Sequence, residues 1–207
     1  MVEFRELSIP DAYLIRPVKR EDGRGLFLEW FQTERFQEAL GHEFVVRQAN
    51  TSLSRRGVVR GIHYADIPPG QAKYVTVMSG AVIDYVIDLR VGSPTFGRWE
   101  AVPLDDVDRH AVYLAEGLGH AFVATTDSAT VSYLVSDVYR PDSEHAINPL
   151  DTEIALELPR DIGELILSDK DTAAPSLADA LKTGALPQWD AARALYDARR
   201  QGKGRNL

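Results

Sequence analysis

Hydrophobic and polar positions along the chain alternate in short runs, and the centre reads as strands. Lys73 to Met78 and Ala81 to Leu89 are rich in β-formers and flank the dipeptide Ser79-Gly80, which predicts a hairpin. A two-residue loop would pair Met78 with Ala81, Val77 with Val82 and Val75 with Asp84. Because side chains alternate, Lys73, Val75, Val77, Val82, Asp84 and Val86 then share one face. Two opposite charges on a valine-lined face are either solvated or buried with partners, and the valines favour burial. The register predicts that both point inward and that Asp84 pairs with Lys73 or another cation.

Further strands are expected at Val45 to Asn50, Val58 to Tyr64, Trp99 to Pro103, Ala111 to Leu114, His120 to Ala124 and Thr130 to Val135. Turn residues interrupt them at Arg56-Gly57, Pro68-Pro69-Gly70, Gly92-Ser93-Pro94 and Asp127-Ser128. Many short strands at short spacing imply an all-β sandwich or barrel, not alternating βαβ units. Helices fall at the edges. One is expected at Thr33 to Ala39 with Thr33 as N-cap, and one at Ser176 to Thr183 ending at Gly184. The third spans Asp190 to Arg200, with Ala191, Leu195 and Ala198 at helical spacing, before a frayed tail from Gln201 to Leu207.

At 207 residues the chain suits one domain, with a core at about residues 5–180 and a helical tail at about 176–207. The net charge of −8 argues against nonspecific nucleic-acid or anionic-membrane binding. There is no cysteine, which removes thiolate nucleophiles and Cys-ligated zinc. The N-terminal residues carry charge instead of a secretory apolar stretch, and no run approaches a membrane span, so a cytoplasmic location is expected.

Five histidines are candidates for chemistry: His42, His63, His110, His120 and His145. None forms His-x-His or His-Glu-x-x-His, so no metal site is expected. His63 ends Val58-Val-Arg-Gly-Ile-His63. Strict alternation would put Arg60 and His63 on opposite faces, so a bulge near Gly61 is required if both serve one site. His120 lies at a loop-to-strand junction. Tyr133 lies mid-strand, as a core tyrosine or a functional one. Ser168-Asp-Lys-Asp171 closes an extended stretch, as a solvated turn or part of a site.

Together these segments resemble the dTDP-4-dehydrorhamnose 3,5-epimerase family. The matching pieces, in order, are Asp22-Gly-Arg-Gly-Leu-Phe-Leu-Glu29, Gln48-Ala-Asn-Thr-Ser52, Gly57-Val-Val-Arg-Gly-Ile-His63 and Gly70-Gln-Ala-Lys73. They continue with Gly92-Ser-Pro-Thr-Phe-Gly97, Glu116-Gly-Leu-Gly-His120 and Leu167-Ser-Asp-Lys-Asp171. Pro68-Pro-Gly-Gln-Ala-Lys-Tyr74 is most similar to members from antibiotic deoxysugar pathways, some of which act at C3 only.

The resemblance implies a cupin-like double-stranded β-helix (jelly roll) with a few peripheral helices. It implies a homodimer with exchanged N-terminal strands, a dTDP-4-keto-6-deoxyhexose substrate and no cofactor. His63 resembles the family's base, Asp171 the carboxylate that orients it, Tyr133 the acid on the other sugar face, and Lys73 the group at the C4 oxygen. Arg60 and His120 resemble pyrophosphate and sugar contacts, and Arg24, Phe27 and Glu29 nucleotide contacts from the partner subunit. Gln48, Asn50, Glu144 and Lys170 match further binding positions. Two departures stand out: Asn50-Thr51-Ser52 replaces the usual Asn-His-Ser, and Val138-Tyr139 the usual Tyr-Tyr, leaving Tyr139 to stack on thymine.

The reaction the resemblance implies, inversion of C3 and possibly C5 of dTDP-4-keto-6-deoxyglucose by proton abstraction and reprotonation through an enolate, needs these residue types. A neutral histidine is available as a base at neutral pH. A carboxylate on its other nitrogen fixes the tautomer, a lysine stabilises the developing enolate oxygen, and a tyrosine across the cavity returns the proton from the opposite face. The C4 ketone already acidifies its neighbours, and there is no Gly-x-Gly-x-x-Gly dinucleotide motif. The alternatives are a C3-only epimerase, a 3,4-ketoisomerase and a non-catalytic sugar-nucleotide-binding cupin.

Overall fold

A computed structural model describes residues 1–202. In chain order the strands are β1 (Glu3–Glu6), β2 (Ala12–Arg16), β3 (Arg20–Asp22), β4 (Gly25–Phe27), β5 (Gln48–Ser54), β6 (Val59–Ala65), β7 (Lys73–Ser79), β8 (Ala81–Asp88), β9 (Trp99–Asp105), β10 (Ala111–Leu114), β11 (Leu118–Ala124), β12 (Ala129–Val135) and β13 (Glu144–Ala146). The helices are α1 (Thr33–Leu40), α2 (Asp169–Thr172), α3 (Leu177–Thr183) and α4 (Trp189–Arg200). A six-stranded sheet in the order β1-β2-β10-β7-β12-β5 faces a five-stranded sheet in the order β13-β6-β11-β8-β9, and β3-β4 form a separate ribbon. The pairings of all three sheets are antiparallel. This is the expected cupin-like jelly roll with helices at its margins.

Alternation along the strands builds the core. Val75 and Val77 of β7 and Val82 and Val86 of β8 join Leu114, Leu118, Phe122 and Val131 in one buried cluster between the sheets. A buried side chain of this size contributes about 1.5–3 kcal/mol through removal of apolar surface from water. A second cluster covers the outer face of the five-stranded sheet with Ile147, Ile154, Ile162 and Leu177. A third packs α1 and α4 on the outer face of the six-stranded sheet around Phe36, Phe44, Tyr74 and Tyr113.

The expected β7–β8 hairpin is wrong. β7 pairs with β10 and β12, whereas β8 pairs with β11 and β9 in the opposite sheet. Ser79-Gly80 turns a corner between sheets. Gly80 has φ +76°, and a Cβ there would lie 2.2 Å from the Ser128 carbonyl oxygen. Asp106 and Thr126 side chains accept from the Gly80 and Ala81 amides, at 2.9 and 3.0 Å, in place of ladder partners. The inward faces were nevertheless read correctly, because the valines meet across the sandwich instead of side by side. Lys73 and Asp84 are both buried, yet Asp84 pairs with His120 and not with Lys73.

Smaller corrections concern the ends and faces of elements. The strand expected from Val45 begins at Gln48. Thr33 is the first helical residue of α1; Gln32 caps it, without a side-chain bond. Helix α4 buries Ala192, Leu195 and Tyr196, one position round from the expected stripe. Ser176 and Gly184 cap α3 at its two ends. Of the tail expected to fray, residues 203–207 lie outside the described residues.

Candidate active site

The site begins with a defect in β6. His63 stands opposite His120 on β11 and Arg60 stands opposite Phe122, so three steps on β6 span two on β11. This bulge brings Arg60 and His63 to one cavity, as the sequence required. Gly61 makes it possible: its φ is +128°, and a Cβ there would lie 2.5 Å from the Ala121 Cβ.

Across the bulge, Ser168 caps the short helix α2 by accepting from the Asp171 amide at 3.1 Å. That cap fixes Asp171, whose Oδ1 lies 2.7 Å from His63 Nε2. The Asp171 side chain is 6% exposed and that of His63 38%. Burial acts to raise the Asp171 carboxyl, but the His63 hydrogen bond and charge, Ser168 and the Gly61 amide outweigh it and hold it below the ordinary carboxylate range. An ionised Asp171 accepts the His63 Nε2 hydrogen, which leaves Nδ1 with the lone pair.

The opposite sheet forms the other wall. Tyr133 on β12, Lys73 on β7, and Gln48 and Asn50 on β5 line the same cavity, whose volume is about 610 Å³. Burial, then the Glu144 charge, raises the Tyr133 hydroxyl, against a smaller opposing effect of Arg60, so it stays protonated at neutral pH. Lys73 is buried, and burial pushes its ammonium down to about 8, partly offset by Glu144. Its Nζ donates to Gln71 Oε1, and Gln71 Nε2 donates to Glu144 Oε1 at 3.3 Å. Gln48 donates to Asn50 Oδ1 at 2.7 Å and accepts from the Tyr139 amide at 3.1 Å. This links that wall of the cavity to the exposed Tyr139, which also lines it.

A second histidine–aspartate pair lies beside the first. His120 Nε2 is 2.6 Å from Asp84 Oδ2, and Asp84 is fully buried. Burial raises the Asp84 carboxyl and His120 opposes it, so the balance differs from that at Asp171.

The cavity therefore gathers His63, Tyr133, Asp171, Lys73, Gln48, Asn50, Arg60, His120, Tyr139, Glu144 and Lys170. It does not include Arg24, Phe27 or Glu29. Arg24 and Phe27 belong to the exposed β3–β4 ribbon and Glu29 to the segment after it. Sequence reasoning missed Gln71, Asp84 as partner of His120, and Ser168 as the cap behind Asp171. Gln71 could have been found two positions before Lys73, on the same face. No signal in the sequence pairs Asp84 with His120. Among the described residues, no group of three His, Cys, Asp or Glu side chains could hold a metal ion, and no helix is long and apolar enough to cross a membrane.

Known proteins match this chain over nearly its whole length. A dTDP-4-dehydrorhamnose 3,5-epimerase of Mycolicibacterium smegmatis is 55% identical over 197 residues, covering 95% of this chain and 96% of that protein. The structure of ChmJ, a 3'-monoepimerase from Streptomyces bikiniensis in complex with dTDP-quinovose, superimposes with a TM-score of 0.92 at 50% identity, covering 94% of this chain and 98% of that one. The structure of NovW, a 4-keto-6-deoxy sugar epimerase from the novobiocin cluster of Streptomyces spheroides, gives 0.90 at 51% identity, covering 93% and 96%. Residues 6–179 match the family described as dTDP-4-dehydrorhamnose 3,5-epimerase, and the chain belongs to that family.

Proposed function

We propose that this chain inverts C3 of a dTDP-4-keto-6-deoxyhexose by removing the proton from one sugar face and returning one to the other. The observation that carries this reading is the His63–Asp171 contact of 2.7 Å on one sheet, with Tyr133 on the facing sheet of the same cavity. Membership of the epimerase family, a dTDP-4-dehydro-6-deoxyglucose 3-epimerase among its relatives and the novobiocin-cluster epimerase support the same substrate class.

His63 Nδ1 takes the C3 proton, and Asp171 steadies the imidazolium. The C–H electron pair passes through C3–C4 to the C4 oxygen, where Lys73 meets the enolate charge; one such donor is worth about 3–4 kcal/mol. Tyr133 protonates C3 from the opposite face, and solvent then restores the proton to Tyr133 and removes the one on His63. Arg60 and His120 contact the pyrophosphate and sugar. Gln48, Asn50, Glu144 and Lys170 complete the pocket, and Tyr139 stacks on thymine. No step draws on a metal or redox cofactor, so activity is expected to survive exhaustive chelation.

The exposed Arg24, Phe27 and Glu29 serve the nucleotide of a second subunit, in a homodimer that exchanges N-terminal strands. One catalytic domain occupies the chain, and it works in the cytoplasm. Size-exclusion chromatography with light scattering should return a dimer; a stable, fully active monomer contradicts the shared site.

A second reading adds inversion at C5, since one base can serve both carbons and relatives of both descriptions match closely. Incubation of the 4-keto substrate in deuterated water decides between them. Deuterium at C3 alone fits the C3-only enzyme, deuterium at C3 and C5 fits the double epimerase, and none at either carbon rejects the proton-transfer scheme.

A further inference from the structure

Lys73 is a buried charge in the site, and Asp84, expected as its partner, pairs with His120 instead. Its side chain leaves β7 into the cavity wall, and Lys73 itself is 6% exposed. An ammonium has three hydrogens to place, and a buried one needs acceptors. The side chain two residues earlier supplies one. Gln71 is itself buried, and its Oε1 accepts from Lys73 Nζ. Its Nε2 donates to the Asp137 carbonyl at 3.2 Å and to Glu144 Oε1 at 3.3 Å.

The chemistry allows only this orientation of the amide. Turned over, the amide would set its NH₂ against an ammonium and its oxygen against a carboxylate and a carbonyl. The backbone holds the same segment. The Ala72 amide donates to Ser136 Oγ at 2.8 Å, and the Ser136 amide donates to the Ala72 carbonyl at 3.1 Å. Gln71 is therefore fixed from both sides and has no freedom to follow a wandering lysine.

We infer that Gln71 is the positioning residue for Lys73: its carbonyl fixes the direction of the ammonium and keeps it charged, while its amide relays the Glu144 carboxylate to that ammonium. The inference rests on the proposed role of Lys73 at the C4 oxygen. Gln71 acts through Lys73 and is assigned no contact with the reacting carbons.

Other charged or titratable groups around the cavity are Tyr133 on β12, Tyr139 in the segment after it, Arg60 and His63 on β6, His120 on β11 backed by Asp84, and Lys170 and Asp171 on α2. Among them all, the Glu144 carboxylate is the charge that opposes the effect of burial on Lys73. Gln71 stands between that carboxylate and the lysine. A neutral acceptor at this point stabilises the ammonium without closing an ion pair, so the lysine charge stays available to a developing oxyanion.

The test follows Lys73 directly, in protein labelled with ¹³C at the lysine ε-carbon, with the resonance assigned by its loss in Lys73→Met. The titration is read on the folded, ligand-free protein, so it gives an answer even if the chain proves to turn over no sugar. Gln71→Met keeps the length of the side chain and removes the acceptor, and the Lys73 midpoint should fall by about one unit. Gln71→Glu supplies a charged acceptor, and the midpoint should rise. Glu144→Gln removes the distal charge, leaves Gln71 in place and should lower the midpoint by less; it remains readable if either Gln71 variant fails to fold. In the active enzyme, the alkaline fall in C3 exchange should move with the midpoint in each variant. Opposite shifts in Gln71→Met and Gln71→Glu support the assignment. Shifts in the same direction, no shift in either, or an unmoved midpoint in Glu144→Gln overturn it.

Discussion

Two histidine–aspartate pairs stand side by side on neighbouring strands, with His63 and His120 directly opposite each other across the β6–β11 ladder. Their contact lengths are nearly equal, 2.7 and 2.6 Å. Their surroundings are not. Asp171 gains a hydrogen bond from Ser168 and one from the Gly61 amide, and its carboxyl is held low. Asp84 is sealed beneath the sheet, its Oδ1 has no partner among the described residues, and its carboxyl is pushed up. The His63 side chain is 38% exposed to the cavity and that of His120 10%. The same two residue types thus make one imidazole open to the cavity, to which the proposed reaction gives the role of base, and one imidazole held in place by a buried carboxyl. The carboxylate's other partners decide which.

The contrast can be broken most sharply at the histidines. His63→Ala should lower kcat for C3 inversion by about 10³-fold or more, the scale of a lost general base. His120→Ala should act mainly on KM and leave kcat within about tenfold, since it removes a binding contact and not the proton acceptor. Steady-state kinetics on both variants check this; equal losses of kcat would erase the distinction between the pairs.

The aspartates give the next largest effect. Asp171→Asn should cost about 10²-fold in kcat, because the amide neither fixes the tautomer nor steadies the imidazolium. Asp84→Asn imitates the neutral form that burial already favours, and kcat should stay within a few fold.

Stability should separate the same variants more gently. Asp171 has a lowered folded pKa, so its contribution is complete above the unfolded value of 3.8 and is lost as pH falls through the folded value. Asp84 has a raised folded pKa, so its ionised form opposes folding at neutral pH. Urea denaturation at pH 7 should show Asp171→Asn destabilised and Asp84→Asn unchanged or more stable. A loss in Asp84→Asn as large as that in Asp171→Asn would contradict the opposite directions in which the two carboxyls are shifted.

The smallest effect concerns Lys73. Its folded value of about 8 lies below the ordinary 10.5, so the unfolded chain holds the extra proton between them and the penalty is complete below about 8. Lys73→Met should therefore gain about 1–3 kcal/mol at pH 7, part of the buried-charge penalty being offset by the loss of the Gln71 bond. The gain should fade as pH rises towards 10.5. No gain at pH 7 would show that Gln71 and Glu144 compensate the charge in full.

Much of this was legible in the sequence, for physical reasons that differ by element. Strands β6 to β12 follow from alternation and turn residues, because both faces of each strand meet fixed environments. The Gly61 bulge follows from needing Arg60 and His63 in one place. Sheet membership was not legible at Ser79-Gly80, since a tight hairpin and a corner between sheets need the same dipeptide and the same valine faces. The pairing of His63 with Asp171 crosses 108 positions, and only the resemblance to a known family suggested it. Asp84 reaches His120 across adjacent strands of a ladder that the expected hairpin had hidden. Gln71 was passed over because an amide beside a lysine carries no motif of its own.

The central claim is that removal and return of the C3 proton belong to different residues on opposite walls. Deuterium uptake into recovered substrate, measured beside product formation in Tyr133→Phe and His63→Ala, tests it most directly. The account predicts that His63→Ala abolishes both uptake and inversion. Tyr133→Phe should keep part of the uptake while inverted product falls steeply, because the enolate still forms and is reprotonated on the face it came from. Undiminished inversion in Tyr133→Phe, or uptake that persists in His63→Ala, would contradict it.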